Sequence, residues 1–492
     1  MSHLFFNEDA DAHFDTALAL TDGGKAVDDY VDLVAAGGVT TFLLNTGGGV
    51  VTYASAVRDP IWTIWPRVPE EDLPWWARGY AALHRQGIDY PARVLARCRH
   101  HGIAPWISLR MNDVHCQEDE EFAGHGEFWL RNPHLRRQGY EGTYYGKALD
   151  YGRAEVREHN MRWIEETLDR YDIEGLELDF MREPYLFSRG KEDEGRALLT
   201  AWLAEVRERT RRAAARRGHP VQLGIRAPSR PEVALKFGLE PVEWARRGLV
   251  DLIVVAPRWA TLEFAMPLRE WRRLLDGTGV TLLGGLEVLT RPFRAVEHHG
   301  VTPEEALGAA AQILHDGADG VYLFNYFPTG SATGGGWWSK DDYHRTLRAM
   351  AAPAELAKQP RRHVVTFSDV NTPAGEWDMD FKGPPGWAQL PAEGSNVALT
   401  LPTGPRPPAD WQAELTLRLE PVPAKPPAVR VNGSAALAVA AADAPGQPGA
   451  VRYALPVAAL REDAANAIAV GAADGAPLRV VWADVFLENG HV

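Results

Sequence analysis

Acidic residues alternate with apolar residues in one short segment, residues 175–183, that has the length of a buried strand. The apolar positions are Leu176, Leu178 and Phe180. Side chains of a strand alternate between its two faces, so if the apolar set packs against helices, Glu177 and Asp179 point to the other face. A carboxylate buried there is costly unless it is paired or functional. Glu183 ends this segment, just beyond the alternating residues.

The same alternation places polar side chains inward on neighbouring strand-like segments. These residues are Ser108, Arg110 and Asn112 on one, Gln222 and Arg226 on the next, and Glu287 on a third. A barrel interior that is held by packing alone is filled with Val, Ile and Leu, so polar residues converging from four segments indicate a site. The alternative is an internal salt-bridge network in which Arg110, Arg182 or Arg226 neutralises the acids.

Two carboxylates on opposite walls of a cavity are what cleavage of a glycosidic bond requires. One protonates the leaving oxygen, and the other acts as nucleophile or activates water. We expect Asp179 and Glu287 to be this catalytic pair, with Glu183 as the alternative acid. Aromatic residues and hydrogen-bonding groups would hold the sugar, and the chain has 17 Trp. The residues expected to bind substrate are Asn45, Arg110, Asn112, Glu177, Arg226, Arg258, Trp259, Asn325, Tyr326, Trp337 and Trp338.

Eight strand-like segments alternate with helical ones, which predicts a parallel sheet. The segments are residues 3–9, 39–46, 104–113, 175–183, 222–229, 251–259, 281–288 and 320–327. Eight such units are the number in an α/β fold of the (β/α)8 TIM-barrel type, whose site lies on the loops at the carboxyl ends of the strands. The glycine-rich residues 330–336 follow the last segment and predict a mobile flap that carries Trp337 and Trp338 over the substrate.

A change in pattern after residue 351 predicts a second domain. Residues 351–360 are rich in Ala and Pro and read as a linker. Beyond them, short alternating runs are separated by Gly, Pro, Asn and Asp, which is typical of a small all-β sandwich. We therefore expect a barrel catalytic domain over residues 1–355 and a carbohydrate-binding-like β-sandwich over residues 362–492.

Composition limits the class of protein. The chain has 492 residues, 52 basic and 66 acidic, for a formal net charge of −14. This balance argues against partners such as nucleic acid or an anionic membrane surface, which need dense basic patches. The start of the chain lacks a signal-peptide pattern, and no stretch is apolar enough to span a bilayer. We expect a cytoplasmic enzyme, and an assembly of identical subunits stays open.

Cofactor and metal motifs are weak. Gly47, Gly48 and Gly49 follow a strand but lack the spacing of a dinucleotide site. The adjacent His pairs lack the spacing and third ligand of a zinc site. Cys98 and Cys116 are the only cysteines, and we expect both to be inert. The sequence thus predicts no cofactor and no bound metal.

A family resemblance rests on three motifs around the fourth strand. They are Asn132-Pro133, Leu149-Asp150-Tyr151-Gly152 before a helix, and Tyr171-Asp172-Ile173-Glu174-Gly175-Leu176-Glu177-Leu178-Asp179. Together they resemble the glycosyl-hydrolase-like barrel family related to the α-amylase superfamily. The resemblance implies a (β/α)8 fold, carbohydrate substrates and a functional role for Asp179. Phe180 stands where members often have a second acid. The C-terminal part resembles a galactose-binding-like jelly roll.

Three functions remain after this reasoning. The first is a glycoside hydrolase without a cofactor, and the arginines at the strand ends hint at an acidic sugar. The second is a polysaccharide lyase or sugar epimerase that removes a proton next to a sugar carboxylate. A divalent metal on Asp179, Glu177 and Asp113 would favour that function. The third is a carbohydrate-binding protein without catalysis, which would need the aromatic residues but no acid pair.

Overall fold

The computed structural model describes most of the chain. The described residues are 3–9, 13–63, 72–113, 115–120, 122, 124–142, 146–258, 260–293, 297–328, 338–370, 392–394, 396–420, 422, 425–439, 450–472 and 477–490. The flap predicted at residues 330–336 lies outside these ranges, as do Trp259 and Trp337.

Eight parallel strands close into a barrel in the order of the sequence, with the last strand paired to the first. They are β1 (His3–Glu8), β2 (Thr41–Asn45), β3 (Ala104–Arg110), β4 (Gly175–Asp179), β5 (Gln222–Pro228), β6 (Leu252–Ala256), β7 (Thr281–Leu286) and β8 (Gly320–Phe324). Each lies within one of the eight predicted segments. The predicted TIM barrel is confirmed.

Helices cover the outside of the barrel. They are α1 (Thr16–Ala19), α2 (Gly23–Ala35), α3 (Trp75–Arg85), α4 (Tyr90–His100), α5 (Gly126–Arg131), α6 (Ala154–Arg170), α7 (Glu192–Arg217), α8 (Pro231–Lys236), α9 (Pro241–Arg246), α10 (Leu268–Leu274), α11 (Pro303–His315), α12 (Lys340–Ala351) and α13 (Pro353–Leu356). Their ends follow local chemistry. Thr302 and Glu305 form a reciprocal capping box at the start of α11, and Gly218 ends α7 with a φ of +79°.

The barrel interior is apolar at its amino-terminal half and polar at its carboxyl-terminal half. The apolar plug consists of Phe5, Leu43, Trp106, Leu252, Val254, Leu283, Tyr322 and Phe324. In the next inward positions the strands carry polar residues, and the register pairs Arg110 with Asp179 and Asp179 with Arg226. The inward parity predicted for β3, β4 and β5 is confirmed for Ser108, Glu177, Asp179 and Arg226, which are buried and contact one another in pairs. Gln222, also predicted to lie inside, is exposed, because it is the first residue of β5 at the open end of the barrel.

Two antiparallel sheets form the C-terminal sandwich, as predicted. Their strands are β9 (Arg361–Val364), β10 (Ala392–Gly394), β11 (Asn396–Leu401), β12 (Trp411–Glu420), β13 (Ala428–Val431), β14 (Ser434–Ala435), β15 (Leu437–Val439), β16 (Ala450–Leu455), β17 (Asn466–Gly471) and β18 (Leu478–Asn489). One sheet runs β9-β18-β12-β16-β15, with β10 also paired to β18, and the other runs β11-β17-β13-β14. Alternate side chains of both sheets fill the core between them.

The sandwich packs directly on the barrel through α11 and β9. Gly308 lies in α11, where a Cβ atom would come within 2.1 Å of the carbonyl oxygen of Arg362. The predicted linker is not an irregular segment between separate domains. It contains α13 and leads directly into β9. The exact boundary between residues 355 and 362 stays a prediction. No helix among the described residues is long and apolar enough to cross a membrane.

We predict that Gly308→Ala destabilises the protein by about 1–3 kcal/mol, because a methyl group there overpacks the contact between α11 and β9. Gly24→Ala is the matched control, since its nearest neighbour would be 3.5 Å away on a flexible Arg93 side chain. The control should gain a few tenths of a kcal/mol or more through its better helix propensity. Denaturant unfolding of both variants measures the difference, and equal stabilities would show that the close approach at Gly308 costs nothing.

Candidate active site

One arginine connects the two carboxylates that the sequence predicts as a pair. Arg226 leaves the end of β5 inside the barrel, where it is fully buried. Its Nη1 donates to Oδ2 of Asp179 and its Nη2 to Oε1 of Glu287, each at 3.3 Å. Because the terminal nitrogens of one guanidinium are close together, the two acids lie within the separation of roughly 9.5 Å that bounds acid/base glycosidases.

Asp179 and Glu287 have different surroundings. Oδ1 of Asp179 accepts from the backbone N–H groups of Met181 at 2.8 Å and Arg182 at 3.0 Å, besides the contact with Arg226. In Glu287, Oε2 is buried and has no hydrogen-bond partner among the described residues. Burial raises the pKa of Glu287 well above its ordinary value, and the charge of Arg226 opposes this only in part. The protonated form is therefore favoured at Glu287, whereas the oxygens of Asp179 accept from two backbone N–H groups and a guanidinium.

Glu177 lies one layer deeper than Asp179 on the same strand. Its Oε2 accepts from the hydroxyl of Ser108 at 2.6 Å and of Tyr322 at 2.9 Å. Burial, together with the charge of Asp179, raises its pKa to about 8. Glu177 is thus a neutral acid near pH 7, supporting the polar layer beneath the carboxylate pair.

Glu183 has its own arginine. Its Oε1 accepts from Nη2 of Arg258 at 2.7 Å, and both side chains are buried. Burial raises the pKa of Glu183 more than the charges of Arg258 and Arg182 lower it. Glu183 lies in the loop after β4 and forms a second buried acid beside the first pair.

A third cluster lies at the ends of β1 and β3. Arg110 donates to Asp9 after β1 and, at 2.8 Å, to Asp113 after β3. His115 contacts Asp113 through Nδ1, and Nε2 of His115 accepts from Arg182 at 2.8 Å. Burial raises the pKa of Asp113, but the charges of His115 and Arg110 outweigh it and hold that pKa well below its ordinary range.

The same cluster contains the one group of described residues with the spacing of metal ligands. Ligand atoms of Asp113, His115 and Glu183 all lie within 4.8 Å of one another. Both ring nitrogens of His115 already have protein partners, and Glu183 binds Arg258. A cation would have to compete with these contacts and with nearby guanidinium charge, so the residues fit a proton network better than a resident metal. Asp179, Glu177 and Asp113 do not form such a group.

The remaining predicted binding residues differ in whether their polar groups already have partners within the protein. Asn325 has a φ of +61° at the end of β8, and its Oδ1 is buried without a hydrogen-bond partner among the described residues. A non-glycine residue held in this conformation is strained, as residues at functional sites often are. Asn45 accepts from Gly47 N–H at 2.7 Å, while its Nδ2 is likewise unpaired within the described part of the chain. Both amides have capacity to bind a ligand.

Three other predicted binding residues make structural contacts. The amide of Asn112 donates to the carbonyls of Leu149 and Tyr185 and accepts from Leu149 N–H, so it ties two loops together. Tyr326 donates to the backbone carbonyl of Glu287 at 2.9 Å. Trp338 donates to the carbonyl of Val301 at 2.7 Å, which fixes its indole beside α11.

Several site residues were not among the predicted catalytic and substrate-binding residues. Asn7 points inward from β1, and neither its Oδ1 nor its Nδ2 has a partner among the described residues. Asp9 follows two positions later with the same parity, so the alternation applied to β3–β5 could have identified both. Asp113 and His115 lie in a loop, where no periodicity indicates the direction of a side chain.

Comparisons with known proteins concern the fold. No protein-family model matches the chain, and no curated protein matches it. It is similar to the structure of α-L-fucosidase isoenzyme 2 from Paenibacillus thiaminolyticus, with a TM-score of 0.43 and 15% identity over 72% of this chain and 49% of that one. The chain thus spans about half the length of the fucosidase.

Two further structures are similar at the same level. An α-amylase from Lactobacillus plantarum has a TM-score of 0.41 and 10% identity over 98% of both chains. An endo-1,4-β-mannanase from Rhizomucor miehei has a TM-score of 0.42 and 11% identity over 73% of this chain and 95% of that one.

We predict that Glu177→Gln becomes stabilising relative to the native protein as the pH rises from 5 to 8. In the unfolded chain Glu177 ionises near its ordinary pKa of 4.5, whereas in the folded protein it keeps its proton until about pH 8. The native protein therefore loses stability through this group over that window, and Gln, which mimics the protonated acid, does not. Unfolding free energies at both pH values test this, and parallel pH profiles would contradict it.

Proposed function

We propose that the chain is a glycoside hydrolase in which Asp179 and Glu287 form the catalytic pair. The observation that carries the proposal is Arg226, which contacts both carboxylates inside the polar end of the barrel. TIM-barrel enzymes carry their chemistry at this end. An internal salt bridge alone would not explain why one of the two acids has a buried oxygen without a partner among the described residues.

The environments assign different roles to the pair. Glu287 is the general acid, because burial raises its pKa well above its ordinary value and so favours the protonated form. Asp179 is the nucleophile or base, because its oxygens accept from two backbone N–H groups and a guanidinium, as a carboxylate anion does. Two carboxyl groups with separated protonation behaviour are the requirement of glycosidic bond cleavage.

The substrate we propose is a neutral glycoside. The hint of an acidic sugar came from arginines at the strand ends, and the structure pairs those arginines with carboxylates of this chain. Arg110 contacts Asp9, Arg226 contacts Asp179, and Arg258 contacts Glu183. An acidic sugar would have to displace these internal partners, whereas the amides of Asn7, Asn45 and Asn325 suit hydroxyl groups.

The sandwich keeps its proposed role in carbohydrate binding. A groove of about 770 Å³ lies on this domain and includes Phe486, Gln412 and Glu414 in its lining. The guanidinium of Arg362 lies 4.6 Å from the ring centroid of Phe486. An aromatic ring beside amide and carboxylate groups is the combination that a sugar ring needs.

We predict that Asp179→Asn and Glu287→Gln each lower kcat by about three powers of ten or more in protein that remains folded, because each removes a group that stabilises the transition state. A panel of 4-nitrophenyl glycosides of neutral sugars, with the glucuronide included, identifies the substrate class. Asp172→Asn is the matched control, since this half-exposed residue lies before β4 at the opposite end of the barrel. Full activity in both site variants would refute the pair, and cleavage of the glucuronide alone would refute a neutral substrate.

We also predict that the basic limb of the pH–rate profile belongs to Glu287. Activity should fall as the pH rises through the raised pKa of this acid, because a general acid must be protonated to act. The pH at which activity falls should therefore lie above the ordinary pKa range of a glutamate. The residual activity of Glu287→Gln should not show this fall. A limb that persists unchanged in that variant would assign it to another group.

A further inference from the structure

The segment that enters the sandwich also crosses the polar end of the barrel. Val365 belongs to the sandwich core and donates its backbone N–H to Ala483 at 2.9 Å. Phe367 and Val370, only a few residues later, are buried in the core of the barrel. The chain between these residues therefore contacts both domains within six positions.

Asp369 in this segment binds the loop after β6. Its Oδ1 accepts from the backbone N–H of Arg258 at 2.9 Å, and its Oδ2 accepts from the backbone N–H of Ala260 at 2.7 Å. The side chain is fully buried. A buried carboxylate that accepts from two backbone donors fixes the course of that loop.

The loop fixed in this way supports the candidate site. Arg258 projects its guanidinium from the same position and donates to Glu183 at 2.7 Å. The charged groups with the largest effects on the pKa of Glu287 are Arg226 of β5, Asp369, Arg182 after β4 and Arg258 after β6. Asp369 is the one negative charge among the four, and it favours the protonated form of Glu287.

We infer that Asp369 is a positioning residue of the candidate active site, supplied by the segment that leads into the sandwich. It holds the loop that carries Arg258, and its charge disfavours ionisation of the general acid. The effect on catalysis rests on the proposed function, but the position and charge of Asp369 do not. The segment that follows the first strand of the sandwich would then take part in the chemistry of the barrel.

The experiment compares Asp369→Asn with the native full-length chain by two readouts. Glutamate labelled with ¹³C at the carboxyl carbon reports the titration of Glu287, whose signal is assigned by its absence from Glu287→Gln. The Asn variant should titrate at lower pH, because a charge that disfavours ionisation is removed. On a 4-nitrophenyl glycoside that the native enzyme cleaves, kcat should fall by about 10–100-fold with a smaller change in KM, because the site is misplaced.

Asp484→Asn is the matched control, since Asp484 is a buried acid at the domain junction that contacts Arg362 and Trp482. It should leave the titration of Glu287 unchanged. A shift of equal size in this control, or no shift in Asp369→Asn, would overturn the inference. If the native chain cleaves no glycoside, the proposed function fails. The titration would still show whether the charge of Asp369 acts on Glu287.

Asp369→Glu separates charge from position, and it serves if the Asn variant does not fold. It keeps the negative charge but moves it by one methylene group, so Glu287 should titrate near its native pH while kcat falls. A native kcat in this variant would show that the loop does not depend on the geometry of Asp369, and it would overturn the positioning role.

Discussion

The buried contact of Arg226 with Asp179 and Glu287 is the interaction on which the rest of the site depends. Burying a guanidinium and its carboxylate partner away from water is expensive, and their mutual attraction offsets that cost only when the geometry is good. The barrel provides the geometry, since closure brings the carboxyl ends of β4, β5 and β7 to the same rim. The apolar plug below them sets the depth at which the polar layer begins.

Sequence reasoning reached the parts of this arrangement that depend on local periodicity. Alternation along a strand is a local property, so the inward direction of Asp179 and Arg226 followed from their neighbours. The partner of each arginine did not follow, because it depends on strand register and on loops. Asn112 shows the limit, since its inward parity was apparent but the loops that use its amide were not.

Local sequence patterns could not predict the contacts between distant parts of the chain. Asp369 lies in a segment with no periodic pattern, more than 100 residues after the loop it binds. The Ala- and Pro-rich stretch before it suggested separation of the domains, yet Gly308 allows α11 and β9 to pack closely. Composition reports the stiffness of a connection, but it contains no information about the surface against which the next strand packs.

The shared arginine also suits the electrostatics of the proposed reaction. In that reaction Asp179 would act as the anion and Glu287 as the protonated acid before the first step. When Glu287 protonates the leaving oxygen it becomes negative, and Asp179 is neutralised either by a covalent bond to the sugar or by a proton from water. In both courses one negative charge moves from one acid to the other. Because Arg226 contacts both acids at 3.3 Å, its positive charge stabilises the negative charge on Asp179 before the step and on Glu287 after it. The buried site therefore needs no reorganisation to accommodate the transfer.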